Sequence, residues 1–95
     1  MNKEDIIKEL QTNKEVYVKI TTNSLEPKIR LNQKVKLISC TLDEVSENDM
    51  VLYKSDKSYK YGFVGNKNAA RGAQIKDGKS FVIGWTKKIY AKIEI

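Results

Sequence analysis

The hydrophobic period of the chain changes early. Ile6, Ile7 and Leu10 fall on one face of a helix, and Glu4 and Asp5 sit where a first turn favours acids. Asn2 is the natural N-cap, and Thr12-Asn13 ends the pattern, which predicts a short helix over residues 1–13. Its apolar face is narrow, so it must lean on other structure to persist. From Glu15 the period becomes two. Val16, Val18 and Ile20 alternate with Tyr17, Lys19 and Thr21, the signature of a half-buried strand. Pro27 then breaks the run and predicts a loop around Ser24. Lys34 to Thr41 forms a second strand, with Val35 and Leu37 on one face, and residues 43–49 are an acidic, turn-rich connection. Met50-Val51-Leu52-Tyr53 is a continuous apolar run, as in a strand covered on both faces.

A turn at residues 55–58 leads to Tyr59, Tyr61 and Phe63, alternating with Lys60, Gly62 and Val64. Residues 65–68 suggest a loop. Asp77-Gly78 is a type I′ hairpin signal between Gln74-Ile75-Lys76 and Ser80-Phe81-Val82-Ile83. Ile89, Ala91, Ile93 and Ile95 alternate with polar positions in a closing strand. The pattern predicts a mainly β fold: an N-terminal helix (1–13), then a β domain (15–95) of about six or seven short strands in a twisted, partly closed sheet. Residues 1–95 form a single domain, with no repeat or linker.

Composition narrows the chemistry. The chain has one cysteine, Cys40, and no histidine. That excludes an internal disulfide, Ser-His-Asp or Cys-His catalysis within the chain, and the common zinc sites. No metal-ligand spacing or phosphate loop is present, so no metal or cofactor is expected. No apolar run approaches the roughly 18 residues that span a bilayer. Acids at Glu4 and Asp5 stand where a signal peptide carries basic residues, so a cytoplasmic location is expected. Charge is uneven: residues 1–49 hold eight Lys/Arg against nine Asp/Glu, whereas residues 50–95 hold ten against three. A basic half suits an acidic or nucleic-acid partner, or simply a solvated lysine surface.

Ser24 is the candidate nucleophile. It lies between two β-patterned runs, three residues before the only proline. Ser24-Leu25-Glu26-Pro27 resembles the Ser-Met-x-Pro motif of the LexA-like repressor peptidases and type I signal peptidases, with Leu for Met. Leu31-Asn32-Gln33-Lys34-Val35 resembles the first Gly-Asp turn of that superfamily, with its glycine and acid replaced. Glu47-Asn48-Asp49-Met50-Val51-Leu52-Tyr53 resembles the second, with Asn48-Asp49 for Gly-Asp. The tail, Gly84-Trp85-Thr86-Lys87-Lys88-Ile89-Tyr90-Ala91-Lys92, is similar to the last strand of small phage-associated or bacterial members. The resemblance covers about residues 16–95. It implies a fold similar to the LexA/signal peptidase catalytic domain, with Ser24 at the nucleophile position.

A serine hydroxyl needs a base within hydrogen-bonding reach. The resemblance implies a buried, neutral lysine on the strand after the second hairpin. That position falls at Gly62, with Phe63 where an arginine follows, and glycine accepts no proton. Lys60 lies two residues away on the same strand face and is the candidate substitute base. Lys67 or Arg71 could also fold back toward Ser24, but Arg71 stays charged and cannot act as a base. Self-cleavage is not expected, because the 23 residues before Ser24 contain no glycine.

Three function classes follow. One is a non-catalytic peptidase-like domain that binds a protein or peptide beside Ser24, through Leu25, Glu26, Pro27, Tyr61 and Gly62. Another is an active soluble peptidase using Ser24 and Lys60. The third is a basic nucleic-acid- or nucleotide-binding module, in which Tyr59, Tyr61 and Phe63 alternate beside lysines. Alternatively, Ser24 is a turn residue bonding nearby backbone, Cys40 is a small strand residue, and Trp85 packs the sheet.

Overall fold

A computed structural model describes residues 3–56 and 58–94. Asn2, the expected N-cap, and Lys57, in the expected turn, lie outside the described residues. Helix α1 spans Lys3–Asn13 and buries Ile6, Ile7 and Leu10, as the spacing requires. Seven strands follow: β1 (Glu15–Lys19), β2 (Lys34–Ser39), β3 (Met50–Ser55), β4 (Ser58–Asn68), β5 (Gly72–Lys76), β6 (Val82–Thr86) and β7 (Ile89–Glu94). They form one open sheet in the order β1-β2-β7-β3-β4-β5-β6, with every neighbouring pair antiparallel.

The continuous apolar run in β3 has the expected cause. Met50 and Leu52 point into a core cluster with α1, β1, β2 and Tyr61. Val51 and Tyr53 point the other way, into a second cluster with Val64, Ile75 and Ile89. A strand buried on both faces loses the polar alternation of a half-exposed one.

The sheet curls because its connectivity demands it. β6 lies at one end and β7 four strand spacings away, roughly 19 Å in a flat sheet. Only Lys87 and Lys88 join Thr86 to Ile89, a reach of roughly 11 Å. The four strands β3 to β6 therefore roll until the end of β6 meets β3. Two bonds fix that contact: Thr86 Oγ1 donates to the Lys54 carbonyl at 2.9 Å, and Lys54 N donates to the Lys88 carbonyl at 2.9 Å. The radius of gyration, 12.1 Å, is that of a compact chain of this length, about 12 Å.

Two local readings differ from the pattern. Residues 65–68 are not a loop: β4 runs through to Asn68 and pairs with Gly72. The register shifts between Val64 and Lys67, so the strand absorbs Gly65 as an irregularity instead of ending. The Asp77-Gly78 signal does mark the hairpin between β5 and β6, but not a two-residue type I′ turn. The connection runs from residue 77 to 81, with Asp77 N donating to the Phe81 carbonyl at 3.0 Å. Asp77 Oδ1 accepts from the N–H groups of Lys79 and Phe81, and Ser80 takes the left-handed conformation at φ 68°. The carboxylate organises a longer loop, which outcompetes the tight turn.

Candidate functional site

Ser24 sits in a loop closed at its neck. Ile20 N donates to the Gln33 carbonyl at 2.9 Å, and Asn32 N donates to the Ile20 carbonyl at 2.7 Å. Asn32 takes φ 70°, which asparagine tolerates better than most residues. Leu25 and Ile29 are fully buried and fasten the loop to the core. Leu25 therefore contributes anchoring, while Glu26 and Pro27 are exposed beside it.

Four bonds set the position of Ser24. Its N–H donates to Thr22 Oγ1 at 3.2 Å, and Thr22 Oγ1 donates to Ser24 Oγ at 3.2 Å. Ser24 Oγ donates to the Tyr61 carbonyl at 3.2 Å. Gly78 N donates to the Ser24 carbonyl at 2.8 Å. A Cβ at Gly78 would run into the Glu26 carbonyl oxygen, so only glycine lets the β5–β6 loop approach so closely.

The contact with Tyr61 falls on an unpaired strand edge. β4 pairs with β3 along residues 58–63, but β5 joins its other edge only from Phe63 onward. Val64 N and the Val64 carbonyl bond to Asp49 and Asn48, on the β3 side. Backbone groups of alternate residues face opposite sides, so those of Tyr59 and Tyr61 face outward. Ser24 takes the Tyr61 carbonyl. Among the described residues, no backbone partner is found for the outward groups of Tyr59.

A cavity of about 280 Å³ opens at this edge, lined by Thr22, Ser24, Tyr53, Lys60, Tyr61 and Ile83, with Lys3 at its rim. Ser24, Lys60 and Tyr61, all singled out in the sequence, thus share one cavity. Gly62 is buried behind it: an added Cβ would lie 2.6 Å from Ile75 Cγ2 and 3.2 Å from a Tyr53 ring carbon. Pro27 lines a separate depression, and Glu26 lines one that shares Ser24 and Ile83 with this cavity. Lys67 is directed elsewhere, its Nζ donating to the Val45 carbonyl at 2.9 Å. Arg71 stacks over Trp85, 5.7 Å from the ring centroid.

Four lining residues escaped the sequence reading of the site: Thr22, Lys3, Ile83 and Tyr53, the last read only as a strand residue. Thr22 had a local signal, since a hydroxyl two residues before a turn serine commonly bonds it. Lys3 had none: its Nζ lies 5.5 Å from the Tyr61 ring centroid because α1 packs across β1 and β2. Ile83 owes its place to the irregular pairing of β5 with β6. Ile75 pairs with Gly84 and Lys76 with Val82, which leaves Ile83 as the extra residue.

The chemistry of the cavity follows from these placements. The Ser24 proton is directed at an amide carbonyl, which holds the hydroxyl but does not deprotonate it. Lys60 is exposed, and no hydrogen bond joins it to Ser24 among the described residues. Burial pushes the Tyr61 phenol up to about 12 and raises that of Tyr53, so neither phenol is poised to take a proton near neutrality. Among the described residues, no three His, Cys, Asp or Glu side chains gather to hold a metal ion, and no helix is long and apolar enough to cross a membrane. No family model, curated protein or solved structure matches the chain.

Proposed function

We propose that the chain is a serine-peptidase-like domain, similar to LexA-like and signal peptidase catalytic domains, that binds an extended segment of a protein partner beside Ser24 without cleaving it. One observation carries this reading: the Ser24 hydroxyl reaches the Tyr61 carbonyl at a strand edge left open by β5. An open edge offers backbone donors and acceptors to an incoming strand, and the adjoining cavity offers room for its side chains. Binding of this kind needs no base. Gly62, at the position the resemblance assigns to the base, stands in place of proton transfer while the edge keeps its shape. A cytoplasmic setting belongs to the same proposal, with Cys40 a free buried thiol.

The test compares two variants at one position. Ser24→Ala retains binding of an extended peptide, whereas Ser24→Trp fills the cavity and abolishes it, with both variants folded by circular dichroism. Equal binding by Ser24→Trp and the parent refutes the groove. Lys60 shares the cavity with Ser24, which gives an active peptidase a specific counter-test. Acylation of Ser24 by a serine-reactive probe, rising with pH and lost in Lys60→Ala, would replace the non-catalytic reading with a Ser24–Lys60 pair.

A further inference from the structure

A second cleft lies further along β6 from the cavity beside Ser24, and both carry lysines: Lys3 and Lys60 line the first, Lys54, Lys87 and Lys88 the second. The chain enters β6 through an unusual run for an edge strand: Phe81, at the end of the loop, and Val82 and Ile83, the first residues of β6, are 68%, 54% and 52% exposed. Edge strands are commonly blunted by charge or proline, and this run has neither. Ile83 lines the Ser24 cavity. Two residues on, roughly 7 Å along the strand, Trp85 lines the next cavity, of about 280 Å³. On β3, Tyr53 lines the first cavity and its neighbour Lys54, on the opposite face of the strand, lines the second.

The second cleft is strongly cationic. Lys54, Lys87 and Lys88 line it, and Arg71 stands over the Trp85 ring. Asp56 is the one acid in the lining. The backbone carrying these lysines is fixed. Thr86 is buried, its hydroxyl donates to the Lys54 carbonyl, and it accepts from Lys88 N at 3.0 Å. Lys54 N in turn donates to the Lys88 carbonyl. One buried hydroxyl thus joins the strand bearing Lys54 to the turn bearing Lys87 and Lys88. Lys54 Nζ lies 5.2 Å from the Tyr59 ring centroid, and with Lys87 and Lys88 it gives the cleft a cationic lining that suits an anionic ligand.

We infer that the segment bound beside Ser24 is apolar where it meets Ile83 and carries a cluster of Asp or Glu, about two to four residues further along, that meets Lys54, Lys87 and Lys88. This inference rests on the proposed peptide-binding groove and names the chemistry of its occupant. Charge decides against a second copy of the chain on this face. Residues 50–95 carry ten Lys/Arg against three acids, so a face-to-face pair would set lysine against lysine. A single-stranded nucleic acid is the competing polyanion. It is disfavoured because Arg71 already covers a face of Trp85, and because the exposed apolar run of β6 offers nothing to phosphate.

The test uses the sole tryptophan as reporter. Two synthetic peptides share an alternating Val/Thr stretch, one ending in a run of glutamates and the other in glutamines. Trp85 fluorescence is followed during titration at low and physiological salt. The expected result is at least about tenfold tighter binding of the glutamate peptide at low salt, shrinking as salt screens it. In Lys87→Glu/Lys88→Glu the ratio of the two affinities falls toward one. Equal affinities in the parent protein overturn this inference and leave the groove standing. Binding of neither peptide overturns both. Tighter binding of a single-stranded oligonucleotide than of the glutamate peptide, with a steep salt slope, overturns the inference in favour of a phosphate-binding cleft.

Discussion

Placing a lysine at residue 62 does not supply Ser24 with a base, because the site has no room for a side chain. A Cβ on Gly62 meets Ile75 Cγ2 at 2.6 Å, a Tyr53 ring carbon at 3.2 Å and the Lys76 carbonyl oxygen at 3.4 Å. Ile75 and Tyr53 are themselves buried in the second core cluster, so neither swings aside freely. Replacing a strand glycine by alanine gains about 0.5–1 kcal/mol of backbone entropy. Forcing a methyl into a packed core costs about 1–3 kcal/mol. The second effect wins, and Gly62→Ala destabilises by about 1 kcal/mol. Gly62→Lys adds a longer arm and a charge beside the same ring and loses about 3 kcal/mol or more. Urea unfolding, read by Trp85 fluorescence, measures both. Ile75→Ala sharpens the assay. Alone it costs about 2–5 kcal/mol, but combined with Gly62→Ala it gives back the space the new methyl needs. The double variant is then more stable than the sum of the single changes by about 1 kcal/mol. Additive behaviour, or a stabilising Gly62→Ala, refutes the packing argument. Acylation of Ser24 gained in Gly62→Lys refutes its functional corollary.

Two further changes probe the parts that position the site. Thr86→Val removes the hydroxyl bonded to the Lys54 carbonyl and Lys88 N and costs about 1–3 kcal/mol in urea unfolding; a neutral result would show that this bond does not hold the curl of the sheet. Burial pushes the Cys40 thiol from its ordinary 9.0 up to about 11. The folded chain thus keeps a proton that the unfolded chain has released, so this contribution is full below about pH 9 and is lost as pH rises toward about 11. Urea midpoints of the parent fall more steeply than those of Cys40→Ala over that window, and parallel profiles would contradict the burial argument.

What the sequence revealed, and what it hid, divides by sequence separation. The helix over residues 3–13 and the alternating strands around Val18, Leu37 and Tyr61 were legible because side-chain period is a local consequence of backbone geometry. The doubly buried β3 was legible for the same reason. The β5–β6 loop was half legible: its place was marked, but competition between a tight turn and an Asp77-centred loop turns on bonds to Lys79 and Phe81 that the dipeptide does not disclose. The extension of β4 past Gly65 was hidden, since pairing with β5 overrides a glycine that reads locally as a break.

The candidate site shows the same division more sharply. Ser24 and Lys60 could be singled out by residue type, but what joins them is the point where β5 stops pairing with β4. The Ser24–Tyr61 bond spans 37 residues, and Thr86–Lys54 spans 32. Neither has a local signal. Both follow from one topological fact, that β7 inserts between β2 and β3 while β6 closes the opposite end. That order forces the short Lys87-Lys88 connection to curl the sheet, and the curl brings Ile83 to the cavity at the open edge of β4. The basic tail and the serine loop, which look unrelated along the chain, each line a cavity reached by β6, and the proposed ligand spans the two. The acidic-peptide experiment therefore tests the topology as much as the chemistry. A glutamate preference that disappears in Thr86→Val while Lys87 and Lys88 remain would show that the curl, and not lysine content, makes the cleft.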